Sequence, residues 1–223
     1  MADNLMSADR TADLIYKHDG FSTTILDSIA TPGSDIRSIT WDGDLYSIDP
    51  ITDLIYKHDG FSTNILDSIA TPLNNGYGLT VDVDGNIYSV DAAVNLMYKH
   101  DGFSTTILDS TSPPGSGSSY DITTDGTDFY VFRGSTIYKV EGFSNTVLDS
   151  FSDHWANAGL TWDGTDLYDS NYSRDDISHR DGFSSTKLET IASPSTDPTG
   201  LTWENFDARI GAGAVFIPKI MIV

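Results

Sequence analysis

No cysteine occurs among the 223 residues. A disulfide framework, a thiolate metal site and a thiol nucleophile are therefore excluded. Basic residues are scarce, with 12 Lys and Arg against 33 Asp and Glu and a formal charge of −21. A protein that grips a phosphate backbone needs a basic footprint, so nucleic acid is not expected as a partner. The acidity reads first as solubility through self-repulsion, which salt screens. Long apolar runs are missing too, and none approaches the ~18 residues of a membrane helix. The start, Met1-Ala-Asp-Asn-Leu-Met-Ser-Ala-Asp9, lacks the basic and apolar regions of a signal peptide. The expectation is a soluble protein without membrane insertion, either cytoplasmic or extracellular as a virion component.

No segment carries a helical face; what is there instead is repetition. YKHDGFSTTILDS begins at Tyr16 and recurs with small changes from Tyr56, Tyr98, Tyr138 and Ser178. Its phenylalanine marks the period at Phe21, Phe61, Phe103, Phe143 and Phe183, roughly every 40 residues. Within a repeat apolar residues alternate, and Gly, Asp, Pro and Ser clusters interrupt them every eight to ten residues or so, which is strand-and-turn spacing. In the clearest unit, 78–82, 86–91, 95–100 and 105–110 read as four strands. Asp84-Gly85 and Asp101-Gly102 read as the tight hairpins joining the first and last pairs. Four antiparallel strands in about 40 residues make a propeller blade. The fold predicted is all-β, a five-bladed β-propeller.

The two ends complement each other. Residues 4–9 match a second strand and 200–204 a first strand. Paired in one blade, they close the ring and leave no open sheet edge at the join. The propeller is assigned to 1–206. Residues 207–223 are an apolar C-terminal tail or arm that packs on the ring or docks on a partner, with a homo-oligomer as one outcome.

Gly78-Leu-Thr-Val-Asp-Val-Asp-Gly-Asn-Ile-Tyr-Ser-Val-Asp91 resembles the repeat of NHL-type propellers and of the gluconolactonase group. The likeness is one of blade grammar and extends to about Glu204. Gluconolactonase-like enzymes hold a metal with carboxylate and amide side chains in a central cavity. No matching ligand set stands in this sequence, so neither cofactor nor activity is carried over. Five regular repeats are also similar to tachylectin-type propellers, whose likeness implies sugar recognition.

Candidate chemistry follows from register. His18, His58 and His100 share one position in three blades, but third strands lie too far apart for one metal with bonds of about 2.0–2.1 Å. They are read as structural, and no metal is expected. The Asp-Gly pairs at 42–43, 84–85, 125–126 and 163–164 are read as turns. The ends of the second strands place Asp9, Asp49, Asp91, Arg133 and Asn171 near the channel mouth. There they either bind a ligand or cap their own loops. The variable fourth-to-first and second-to-third connections share that face, with Tyr77, Tyr120, Trp155 and Tyr172 in or beside them. Trp41, Trp162 and Trp203 repeat on first strands and are read as packing between blades.

No catalytic residue is assigned: no histidine falls on a first strand, and the loops are too short to wall a substrate cleft. The leading reading is a non-enzymatic recognition or scaffold propeller that binds a glycan or protein surface through its variable-loop face. A purely structural subunit docking through the tail is the second reading. A carbohydrate-active or lactone hydrolase using the rim carboxylates is the third.

Overall fold

The computed structural model describes residues 3–72, 74–152 and 157–204. Blade 1 contains β1 (Leu5–Asp9), β2 (Leu14–His18) and β3 (Ile25–Ala30), and blade 2 contains β4 (Ser38–Trp41), β5 (Leu45–Asp49), β6 (Leu54–His58) and β7 (Ile65–Ala70). Blade 3 contains β8 (Gly76–Val81), β9 (Ile87–Asp91), β10 (Leu96–His100) and β11 (Ile107–Thr111). Blade 4 contains β12 (Ser119–Thr124), β13 (Phe129–Arg133), β14 (Thr136–Val140) and β15 (Val147–Ser152). Blade 5 contains β16 (Asn157–Trp162), β17 (Leu167–Asn171), β18 (Asp176–Arg180) and β19 (Lys187–Ala192), and β20 (Pro198–Trp203) ends the described chain. The five sheets are four-stranded and antiparallel, and β20 lies beside β1 as the innermost strand of blade 1.

The closure expected from the two ends is therefore present. β20 pairs antiparallel with β1 in the register Leu5↔Trp203, Met6↔Thr202 and Ser7↔Leu201. Asn4 and Glu204 extend the seam, with the Glu204 N–H on the Asn4 carbonyl at 2.8 Å and Asn4 Nδ2 on Glu204 Oε2 at 2.8 Å. The ring is a five-bladed β-propeller. The tail at 207–223 and Trp155 lie outside the described residues.

Why the phenylalanine recurs becomes clear at the seams. Each one leaves the third-to-fourth connection of its blade and packs on the blade before. Phe103 meets Tyr46 with centroids 5.5 Å apart, Phe143 meets Tyr88 at 5.1 Å, and Phe183 meets Tyr130 at 5.2 Å. Phe21 meets Tyr168 at 5.3 Å across the closing seam. Blade 1 has Met6 in the tyrosine register, and Phe61 packs on its cluster. Trp162 stacks on Tyr130 at 4.9 Å and Trp203 packs edge-on against Tyr168 at 5.1 Å, so these tryptophans do pack between blades. Such pairs contribute about 0.5–1.5 kcal/mol beyond the area they bury.

One connection departs from expectation. Asp101-Gly102 does not make a tight hairpin; β10 ends at His100 and β11 begins at Ile107, with the Asp101 N–H on the Thr106 carbonyl at 2.9 Å. The longer loop has two duties. It carries Phe103 to the neighbouring seam, and it brings the Ser104 carbonyl 2.9 Å from His100 Nδ1. The Asp-Gly pairs after the inner strands are turns, as read: Gly85 has φ +84°, with nothing near its missing Cβ.

The outer strands are free edges, and four of them are blocked from within. Asp27, Asp67, Asp109 and Asp149 each turn Oδ1 onto the N–H of the next residue, at 2.7–2.8 Å. A carboxylate there occupies a donor that would otherwise be open to a foreign strand.

Candidate functional site

Counting back three residues from the end of each inner strand gives Ser38, Gly78, Asp121, Gly159 and Gly200. These positions must be small because the next blade's backbone lies against them. A Cβ on Gly78 would sit 2.8 Å from the Asp121 Cα, and one on Gly200 2.8 Å from the backbone of Ser38 and Ile39. Asp121 is the exception, and its side chain spans the centre of the ring. Oδ1 accepts the Ser38 hydroxyl at 2.8 Å and the Leu79 N–H at 3.3 Å, while Oδ2 accepts the Leu160 N–H at 2.6 Å. One carboxylate in blade 4 thus ties blades 2, 3 and 5. It is fully buried, and burial pushes its pKa well above the ordinary carboxylate range. Its oxygens face N–H and O–H donors, an arrangement that repels a cation.

One position further back, on the variable-loop side, the same register reads Arg37, Tyr77, Tyr120, Ala158 and Thr199. These five line a cavity of about 230 Å³ over the ring centre, joined by Arg10, Tyr172 and Asp197 from the loops. The cavity exists because the ring is uneven. Blades 2, 3 and 4 contribute Arg and two Tyr, whereas blades 5 and 1 contribute Ala and Thr. Among the described residues, space is left beside these two small side chains.

Its walls are held firmly. Arg37 lies over the Tyr77 ring at 4.7 Å and donates from Nη2 to Asp35 Oδ2 at 2.9 Å. Tyr77 and Tyr120 meet edge to face at 6.1 Å, and Tyr120 packs on Phe132 at 5.6 Å. Arg10 donates from Nε to Asp197 Oδ2 at 2.8 Å, adds a contact from Nη2 to the same oxygen, and lies 3.8 Å from Asp35. Arg37, Asp35, Arg10 and Asp197 form a chain of alternating charge. Asp197 adopts φ +78°, a left-handed conformation that costs free energy in a non-glycine residue. Four other described non-glycine residues have positive φ (Asp13, Asp53, Asn95 and Asp175), all in second-to-third loops. Asp197 stands apart from that pattern, at the cavity wall.

The sequence-derived candidates divide into two groups. Tyr77, Tyr120 and Tyr172 come together at the cavity. Asp9, Asp49, Asp91 and Asn171 hold their own loops, each Oδ1 accepting two backbone N–H groups, as at Ala93 (2.8 Å) and Val94 (2.9 Å) for Asp91. All four are at most 2 % exposed, and burial raises the Asp9 carboxyl. Arg133 donates to the carbonyls of Gly117 and Pro113. None of these five lines the cavity. Arg10, Arg37, Asp197 and Thr199 were not singled out from sequence, although the inner-strand register points to two of them.

The repeated histidines are structural. His18, His58 and His100 are 0 % exposed. Each Nε2 meets a second-strand serine, Ser7, Ser47 or Ser89, at 2.9–3.0 Å, and each Nδ1 faces a loop carbonyl at 2.8–2.9 Å. With Nδ1 protonated toward the carbonyl, Nε2 accepts the serine hydroxyl. The neutral ring satisfies both, and burial lowers the pKa of all three. A serine–histidine couple is a nucleophile's arrangement only when substrate can reach it; these are sealed. Blade 4 replaces the pair with Val131 and Val140, and blade 5 with Asp169 and Arg180, whose side chains are in direct contact. Among the described residues no group of three or more His, Cys, Asp or Glu is placed to hold a metal ion.

No family model matches the chain, and no curated protein matches it in sequence. Solved structures do share its shape. A chain of the nidogen/laminin complex superposes with a TM-score of 0.61 at 15 % identity, over 91 % of this chain and 98 % of that one. Myxococcus xanthus glutaminyl cyclase gives 0.58 at 11 % identity, over 71 % and 77 %. The WD40 β-propeller domain of Doa1 gives 0.58 at 12 % identity, over 88 % and 67 %. At such identities the likeness is one of fold.

Proposed function

We propose that this propeller is a non-enzymatic recognition module that binds through its variable-loop face, with the axial cavity as the centre of the contact. The observation that carries this reading is the uneven ring. Arg37, Tyr77 and Tyr120 wall a space over Ala158 and Thr199, and exposed Tyr172 stands at its side. Tyr and Arg are the residue types that dominate binding energy at recognition surfaces. Loops over a rigid scaffold are where such residues gather. One oxygen of each rim carboxylate holds its own loop, which supports recognition over hydrolysis as the reading.

The test is a paired screen of the full chain on a glycan array and against a displayed peptide library, with Tyr77→Ala/Tyr172→Ala as the comparison. Ligands held by the native protein and lost by the variant are expected in one of the two screens. Silence in both, or ligands that the variant keeps, would overturn the reading.

A further inference from the structure

We infer that the axial cavity takes one uncharged pyranose ring, either a free sugar or the terminal residue of a glycan. This rests on the recognition reading and narrows it to a ligand class.

Size sets the first limit. At about 230 Å³ the cavity falls below the ~300–1,000 Å³ typical of sites for drug-sized ligands. It suits a single ring, and it lies where blades 5 and 1 have Ala158 and Thr199 in the register at which Tyr77 and Tyr120 place rings.

Charge sets the second. An anion accepting from Arg10 or Arg37 would sit beside the Asp197 or Asp35 carboxylate already paired with that guanidinium, against a chain charge of −21. A cation would face two guanidinium groups on the wall. An uncharged ligand escapes both costs, provided it offers donors and acceptors together. Adjacent hydroxyls do so: they can donate to Asp197 and accept from Arg10 without breaking that pair.

The third limit is shape. Tyr172 is 44 % exposed and, among the described residues, has no aromatic partner. Its exposed ring can take the C–H face of a sugar in the cavity that Ala158 also lines. A flat aromatic side chain from a partner protein would fill the same volume but leave Arg10 and Asp197 unused. The left-handed φ of Asp197 is strain held at the group assigned to the hydroxyls.

The experiment is ligand-observed NMR and calorimetry on the full chain. The probes are methyl glycosides of glucose, galactose, mannose and N-acetylglucosamine, together with glucuronic acid, N-acetylneuraminic acid and N-acetyltyrosinamide. At least one neutral glycoside is expected to bind with Kd of about 1 mM. Ala158→Tyr, which copies blades 3 and 4, should abolish binding without lowering Tm, and Tyr172→Ala should weaken it about tenfold. Asp197→Asn, by releasing Arg10, should weaken the neutral glycoside and strengthen glucuronic acid. Acidic sugars binding the native protein in preference, N-acetyltyrosinamide binding in place of sugars, or no sugar binding at all would each overturn the inference. None of those results touches the recognition reading, which the array and peptide screens decide separately.

Discussion

The Asp121 carboxylate meets the Ser38 hydroxyl at 2.8 Å across the middle of the ring, although the two are 83 positions apart with a whole blade between them. Inner strands have one edge facing no further strand, so their N–H groups need acceptors from elsewhere. Asp121 supplies two of those acceptors and binds blades 2, 3, 4 and 5 to one another. No other inner strand carries a carboxylate.

Removing that tie should cost stability in a way that depends on what replaces it. Asp121→Ala leaves the Leu160 N–H unpaired and the Leu79 N–H with the Ser38 hydroxyl alone, at 3.2 Å, and a loss of about 1–3 kcal/mol is expected in denaturant unfolding. Asp121→Asn keeps an acceptor for Leu160 and can donate to Ser38, so a smaller loss is expected.

The pH profile separates the charge from the hydrogen bonds. Burial raises the folded pKa of Asp121 above its unfolded value. Its contribution is therefore complete below the ordinary carboxylate pKa of about 3.9 and falls as pH rises through the higher folded value. Melting temperature measured against pH should show native protein losing ground to Asp121→Asn as pH rises. Parallel curves for the two proteins would mean that the carboxylate is not desolvated.

The buried histidines act in the opposite sense. Their folded pKa values lie below the unfolded value. The stability they give is complete above about pH 6.5 and is lost as pH falls through the folded values. Blade 4 shows how to remove one titration without breaking the fold. His58→Val alone strands the Ser47 hydroxyl and should cost about 1–3 kcal/mol. Ser47→Val/His58→Val copies Val131 and Val140; it should recover part of that loss and lose less stability than native protein between pH 8 and pH 5. A double-mutant cycle followed by urea unfolding at pH 5 and pH 8 checks both points.

How much of this was legible in the sequence depends on whether the signal lay within a repeat or between repeats. Five blades, their four strands and the closing pair of β1 and β20 all follow from one period and the two incomplete ends. The serine–histidine couples were not read from the sequence, although their signal stands in it. Ser7–His18, Ser47–His58, Ser89–His100 and Asp169–Arg180 are each 11 residues apart, and both members change together in blades 4 and 5. The axial layer was harder. The register Ser38, Gly78, Asp121, Gly159, Gly200 marks Asp121 as different, but only the closed ring brings Ser38 and Leu160 to it. Register likewise lines up Arg37, Tyr77, Tyr120, Ala158 and Thr199, while Arg10 and Asp197 come from a second-to-third and a fourth-to-first loop whose residue types change from repeat to repeat. The hairpin expected at Asp101-Gly102 failed because a dipeptide says nothing of the longer reach that Phe103 and Ser104 require.

Two kinds of glycine should respond differently to a methyl group. Gly78→Ala and Gly200→Ala would drive a Cβ to 2.8 Å from backbone atoms of the next blade, which cannot move without opening the ring. A loss of more than about 2 kcal/mol is expected. Gly85→Ala meets nothing within 4 Å and suffers only from φ +84°, so about 1 kcal/mol is expected. Urea unfolding of the three variants ranks them, and equal losses would count against a close-packed axis.

The last prediction concerns solubility rather than stability. Asp27, Asp67, Asp109 and Asp149 sit on exposed outer strands, and each closes the N–H of its neighbour. Such exposed local bonds contribute little to the fold, so single Asp→Ala variants should melt within about 0.5 kcal/mol of native. Their effect lies in what the edge can no longer refuse. Leu26, Leu66, Leu108 and Leu148 stand beside them at 50–53 % exposure, and an open donor next to an exposed leucine is a template for a foreign strand. Asp27→Ala/Asp67→Ala/Asp109→Ala/Asp149→Ala should therefore aggregate at concentrations where native protein scatters light as a single species. Serine at the same four positions should restore part of the resistance if the hydrogen bond to the backbone is the agent. If charge alone keeps the edges apart, serine will fail and lysine will succeed.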